Sequence, residues 1–158
     1  MHPETPDAGL SLDELFKGRG YDIEVMKQRM SGLMAEEKLP YGNRSHTYNS
    51  RLAQELSKWG ESFPEGEELN LKLFEAYFVD GYNLAEPEVL LDVTKAASLS
   101  REVAEGVIRE RLFQDAVNAD WQRAHEFGVT GVPTFVSGRH GLVGAQPYEA
   151  LEQLIQVE

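Results

Sequence analysis

The sequence predicts an α/β chain in which helices dominate, a single β-hairpin comes late, and one helix closes the chain. Three observations carry that reading. Apolar residues recur at three- and four-residue intervals from Leu12 to Ala124, the spacing that lines one face of a helix. Beyond Gly128 the pattern turns extended: Val132 to Val136 is β-rich, Ser137-Gly-Arg-His-Gly141 makes a turn, and Leu142-Val143 starts a second strand. Pro147 then stands at the start of a final helix carrying Leu151, Leu154 and Ile155.

Each helix has its own signals. Ser11 with Glu14 forms a capping box that opens a short helix burying Leu12, Leu15 and Phe16, and Gly18 and Gly20 break it. Asp22 can cap the next, on which Ile23, Met26, Met30 and Leu33 recur. The Met26, Met30 and Met34 series reads as core packing ahead of a ligand groove, because helical spacing alone predicts it. After the turn cluster Leu39-Pro-Tyr-Gly-Asn43, Asn49 can cap a helix burying Leu52, Leu56 and Trp59, stopped by Gly60 and Pro64. Glu67 to Phe78 carries Leu73, Phe74, Tyr77 and Phe78 and ends at Asp80-Gly81. Tyr77, Phe78 and Tyr82 read as core or interface. Pro87 fits the first turn of a helix packing Leu90, Leu91 and Ala97. Ser100 caps another, with Val103, Val107 and Leu112 inward. From Phe113 to Phe127 the stripe is Val117, Trp121 and Ala124, closed by Gly128 in a left-handed cap. The division expected is a mainly helical region over 1–128 and a ββα region over 129–158.

Composition narrows the function. At 158 residues the chain suits one domain with a real core. A formal charge of −12 argues against a nucleic-acid surface, which needs clustered Lys and Arg. No apolar run approaches a bilayer span. No secretory signal is visible at the N-terminus, so the expected location is the cytoplasm. There is no cysteine, which excludes a disulfide scaffold, a thiolate zinc site and any thiol nucleophile. His2, His46, His125 and His140 show no metal-ligand spacing, and no metal or other cofactor is expected. His125 reads as a partly buried structural residue, and Asp115 and Asp120 as solvated carboxylates. Gly144-Ala-Gln-Pro147 reads as an ordinary cap ahead of an anion-holding loop.

One feature points to a ligand. Pro133 lies in the first positions of a buried-looking strand, where its missing N–H is costly unless the residue begins the strand, lies at an edge, or follows a cis bond in a tight turn. Val132, Pro133 and Thr134 are therefore the candidate binding residues, a backbone shaped to present polar groups.

The run Gly128-Val-Thr-Gly-Val-Pro-Thr-Phe-Val136, followed by Gly144-Ala-Gln-Pro-Tyr-Glu-Ala-Leu151, closely resembles the C-terminal block of DsbA-like thioredoxin-fold proteins. The branch it is most similar to is the FrnE-like, 2-hydroxychromene-2-carboxylate isomerase-like group. His2-Pro-Glu-Thr-Pro6 resembles the segment after that group's second strand, Asn49-Ser-Arg-Leu-Ala53 its helix after the polar turn, and Phe74-Glu-Ala-Tyr-Phe78 with Gly81 a further block. The resemblance implies a thioredoxin fold with a large helical insert between a βαβ half and a ββα half. It also implies a Cys-x-x-Cys at a helix start, facing a cis-proline loop. The family's cis-proline falls on Pro133 and its substrate-contacting backbone on Val132, while its catalytic thiols fall on nothing.

The resemblance thus implies a truncated form, mainly helices plus the hairpin and last helix, without the redox motif. Met1 is then either an internal methionine of a longer reading frame encoding an oxidoreductase, or the start of a redox-inactive relative acting as an interaction or binding module. A glutathione-dependent isomerase is a further relative, but its activating serine belongs to the same missing half. Without the first half, one hairpin edge offers unpaired N–H and C=O groups. The partners expected are a second copy, through dimerisation or strand exchange, or a protein supplying the missing strands, with a peptide or small thiol as ligand.

Overall fold

The computed structural model describes residues 5–156, so His2 and the start of the His2–Pro6 segment lie outside the described residues. These residues fall into two compact units that divide between Val117 and Asn118.

The first unit opens with β1 (Leu10–Ser11), paired antiparallel with β2 (His46–Thr47). The sequence reading missed this ladder, because two-residue strands carry no alternation to detect. The capping box forms α1 (Leu12–Phe16): Ser11 Oγ accepts from the Glu14 N–H at 3.2 Å and Glu14 Oε2 accepts from the Ser11 N–H at 2.9 Å. Leu12 is buried and Leu15 and Phe16 are half-buried. Asp22 caps α2 (Ile23–Glu36) by accepting from the Val25 N–H at 3.1 Å. The core assignment for its methionines is corrected. Met26, Met30 and Leu33 are 38%, 44% and 47% exposed, and Met34 is half-buried. Among the described residues α2 packs only on α1, and a helix so short covers one side of it.

The core lies in α3 (Arg51–Gly60), α4 (Gly66–Phe78), α5 (Pro87–Ala96) and α6 (Arg101–Glu110). Leu56, Leu69, Leu90 and Ala104 lose all solvent contact there, with Trp59, Leu73, Leu91 and Val107 around them. Burying each large aliphatic chain stabilises the fold by roughly 1.5–3 kcal/mol. Ser50, not Asn49, holds the cap position of α3. Asn49 still serves it, accepting from the Arg51 N–H at 3.0 Å and donating to the Thr5 carbonyl at 3.2 Å. Pro87 at the first turn of α5 and Ser100 at the cap of α6 stand as the sequence indicates.

Two inward faces are corrected. In α4 the buried line is Leu69, Leu73 and Ala76, and Phe74 is 61% exposed. In α6 it is Ala104, Val107 and Ile108, while Val103 is 52% and Leu112 59% exposed. Leu73 and Val107 are buried as expected, and the rest of each buried line falls on other residues. The sequence reading weighted side-chain size. The packing instead places alanine where helices approach closely. Gly60 and Gly66 serve the same end, since a Cβ on Gly66 would overlap the Gly60 carbonyl. Tyr77 and Phe78 are half-buried beneath the Arg44 guanidinium, and Tyr82 is exposed.

The chain passes into the second unit along α7 (Gln114–Glu126), on which Val117 is buried and Trp121 and Ala124 half-buried. There β3 (Thr134–Ser137) pairs antiparallel with β4 (His140–Val143) in the register Thr134↔Val143, Phe135↔Leu142, Val136↔Gly141, Ser137↔His140. The loop is thus only Gly138-Arg139, shorter than the five-residue turn the sequence suggests, with Gly138 at φ +58°. Finally α8 (Tyr148–Gln156) packs on the hairpin, burying Leu154. Ile155, expected inward, is 73% exposed one position round the helix.

Candidate functional site

The proline loop is placed by the end of α7. Gly128, at φ +68°, donates to the His125 carbonyl at 2.9 Å, and Val129 donates to the Ala124 carbonyl at 3.0 Å. These two bonds satisfy carbonyls of the last turn and reverse the chain, which needs a residue without a Cβ at the left-handed position. The reversal delivers Gly131 to Thr134.

Three contacts hold that segment. Thr134 Oγ1 donates to the Gly131 carbonyl at 2.6 Å, the Gly144 N–H donates to the Pro133 carbonyl at 2.8 Å, and Gln146 Nε2 donates to the Val143 carbonyl at 2.8 Å. The Val132–Pro133 peptide is cis. Val132 is 76% exposed, Pro133 is exposed and Thr134 is half-buried, so the three candidate residues lie together where the loop enters β3, Thr134 being its first residue. Gly144 and Gln146 are supporting residues the sequence reading treated only as part of a cap. The signal available for them was the Gly-Ala-Gln-Pro run itself.

The pairing pattern fixes which backbone groups are open. The Gly144-to-Pro133 bond marks that pair as hydrogen-bonded, and antiparallel alternation then turns Phe135 and Ser137 toward β4. Thr134 and Val136 direct their N–H and C=O groups to the other edge. Among the described residues no strand pairs with that edge. Val136 on this strand is 46% exposed, and Val143, paired with Thr134 across the ladder, is 57% exposed.

Chemically, the loop presents backbone polar groups and hydroxyls. From Val129 to Ser137 there is no ionisable side chain and no thiol. Among the described residues no three His, Asp or Glu side chains converge to hold a metal ion. His125 is exposed, a correction to its partly buried reading, because the inward line of α7 is Val117, Trp121 and Ala124 and His125 falls beside it. His46 stacks on Tyr48 at 5.9 Å with its Nδ1 2.8 Å from Ser45 Oγ. Asp115 and Asp120 are exposed on α7.

A helix-covered hairpin headed by a proline loop, following a helical unit, is the arrangement of a thioredoxin-like protein. The chain belongs to the DSBA-like thioredoxin domain family, whose model matches residues 11–156. It is similar to the uncharacterized protein YwbO of Bacillus subtilis, 26% identical over 114 residues that cover 72% of this chain and 56% of that protein. The match thus spans little more than half of that relative's length. It is also similar to the crystal structure of a probable DsbA oxidoreductase from Streptomyces coelicolor, with a TM-score of 0.86 and 25% identity over 98% of this chain and 70% of that one. A solved chain from Nitrosomonas europaea, 18% identical with a TM-score of 0.65 over 82% of this chain and 69% of that one, shares the fold. Among the described residues no helix is long and apolar enough to cross a membrane.

Proposed function

We propose that these residues form the substrate-holding part of a FrnE-like member of the DsbA family, a thiol–disulfide oxidoreductase scaffold without the thiols that exchange disulfides. The chain has no cysteine, so by itself it is redox-inactive. Its role is to hold an extended polypeptide, or a small thiol, against Val132, Pro133 and Thr134.

One observation carries the reading: the free groups of Thr134 and Val136 continue directly from an exposed Val132 in a stretch with no ionisable side chain. An extended peptide adds to such an edge by main-chain hydrogen bonds, with alternate side chains meeting the neighbouring apolar surface. Similarity to the probable DsbA oxidoreductase of Streptomyces coelicolor supports the same assignment. The cysteine-free composition favours a second reading, a binding module on this scaffold whose edge is paired by a second copy or by another protein's strand. Either reading suits a cytoplasmic protein.

The test has two parts. The 158-residue chain is added to insulin and dithiothreitol, and no acceleration of insulin reduction is expected; acceleration overturns the reading. A fluorescein-labelled, thiol-free peptide of alternating valine and serine is then titrated into 15N-labelled chain. Saturable shifts at the Thr134 and Val136 amides support strand addition, and their absence removes it. In-frame codons for a Cys-x-x-Cys element upstream of Met1 select the oxidoreductase reading, and a stop codon directly before Met1 selects the binding module.

A further inference from the structure

A cleft of about 450 Å³ lies between α4 and α5, wholly within the first unit. Its volume falls in the range of small-ligand pockets, roughly 300–1,000 Å³. The floor is apolar and made of small or branched side chains: Ala76 and Val93 are buried, Val89 is half-buried, and Ala96 sits at the rim. Small residues on both helices leave the groove open where larger ones would close it. The floor alone would take any apolar body.

The rim chooses among such bodies by charge. Three carboxylates line it, from Glu75, Asp80 and Asp92, against the single ammonium of Lys72. Lys72 is already engaged, 2.8 Å from Glu75 and 3.7 Å from Glu68. Asp92 is held at 2.5 Å by Arg101. Asp80 has no ion-pair or side-chain hydrogen-bond partner among the described residues. It stands just past the C-terminus of α4, where the helix dipole is negative and attracts a cation. Tyr82, 54% exposed, flanks the same end with its ring available to a positive charge.

We infer that the α4–α5 cleft binds a small amphipathic organic cation, an amine or guanidine whose apolar body lies on Ala76, Val89 and Val93 and whose charged head meets Asp80 and Tyr82. The occupant follows from charge complementarity: with Glu75 paired to Lys72 and Asp92 to Arg101, the unmet charge of the rim is Asp80, which a neutral body leaves uncompensated and an anionic one opposes. The site shares no residue with the proline loop, so either can fail without the other.

The test uses 4-phenylbutylammonium as probe, with 4-phenylbutanol and 4-phenylbutyrate as matched neutral and anionic bodies. Each is titrated into the 15N-labelled chain. The cation is expected to give saturable shifts at Ala76, Tyr82 and Val93, with the other two at least threefold weaker, roughly the upper part of what one exposed charge pair supplies. Asp80→Asn, an exposed position, is expected to weaken the cation about fivefold on the same grounds, with the thermal midpoint unchanged. Ala96→Leu, also exposed, fills the mouth of the cleft and is expected to abolish the shifts. Equal binding of all three probes, unaltered binding by Asp80→Asn, or shifts lying elsewhere in the chain would overturn the inference.

Discussion

Glu55, buried in α3 with 2% of its side chain exposed, receives two hydrogen bonds from Arg111 at the end of α6, Nε to Oε2 at 2.8 Å and the terminal nitrogen to Oε1 at 2.6 Å. Arg51 adds a third at 2.9 Å from the preceding turn of α3. Burial opposes ionisation of this carboxyl. The hydrogen bonds and charges of the two arginines outweigh it and hold the group below its ordinary value of 4.5. Arg111 reaches the site from a left-handed backbone, φ +53°, which few non-glycine residues adopt.

Glu55→Gln therefore leaves two guanidinium groups without their shared counter-charge. Because Arg111 keeps 39% of its side chain exposed and water can meet its charge, the expected loss at neutral pH is about 1.5–3 kcal/mol, the range for hydrogen bonds to charged groups. The sign with pH follows from the direction of the shift. A carboxyl with a depressed folded pKa contributes stability that is present above its unfolded value and lost as pH falls through the folded one. Urea midpoints of the two chains should differ most at pH 7 and converge below about pH 4.5, the ordinary value of the group. A gap that stays constant down to pH 3 would contradict the assignment.

Two glycines should respond to alanine with opposite signs. A Cβ on Gly66 would collide with the Gly60 backbone carbonyl, which cannot swing away. Gly66→Ala is expected to cost about 1–3 kcal/mol by forcing α3 and α4 apart. Gly106 lies inside α6, where an added methyl would meet no atom within 4 Å and the backbone has no positive φ. Gly106→Ala should add about 0.5–1 kcal/mol through helix propensity and a less flexible unfolded chain. Thermal melts of the two variants decide both.

Where a side chain acts on its own chain neighbours, the letters revealed it. Ser11 with Glu14, Asp22, Ser100, Pro87 and Gly128 all stand where local hydrogen bonding or φ demands them, and each was visible from spacing alone. The loop at Val132, Pro133 and Thr134 was visible because a proline opening a strand is costly unless placed with care. What lay hidden depends on distant residues. Nothing in the sequence singles out Glu55, since Arg111 is 56 positions away. Ala76 and Ala104 took inward positions that Phe74 and Val103 were assigned, because only the facing helix determines how near the backbones come. The Met26–Met30–Leu33 face has the right period for a core and no described element to cover it.

Met30 is 44% exposed, so Met30→Gln should change stability by no more than about 0.5 kcal/mol. Leu56→Ala, at a position with no exposure, should cost about 2–5 kcal/mol. Similar penalties at the two sites would show that α2 is covered in solution.

At the proline loop, Val132→Glu should separate the proposed peptide binding from folding. Val132 is three-quarters exposed and its side chain contributes little to the folded state, so the urea midpoint should hold within the range of ordinary surface changes, about 0.5 kcal/mol. Ligand affinity should not hold. A carboxylate placed at the head of an edge whose neighbours from Val129 to Ser137 carry no charge must be desolvated when an apolar strand docks. The alternating valine–serine peptide is expected to bind at least about fivefold more weakly, a loss near 1 kcal/mol by the usual conversion. Thr134→Val is the complementary probe: it keeps the loop uncharged but removes the hydroxyl that donates to the Gly131 carbonyl at 2.6 Å. That change should cost about 1 kcal/mol of folding stability and loosen peptide binding through the loop's position. If both variants bind the peptide as the parent chain does, the strand edge of β3 is not where the polypeptide lies.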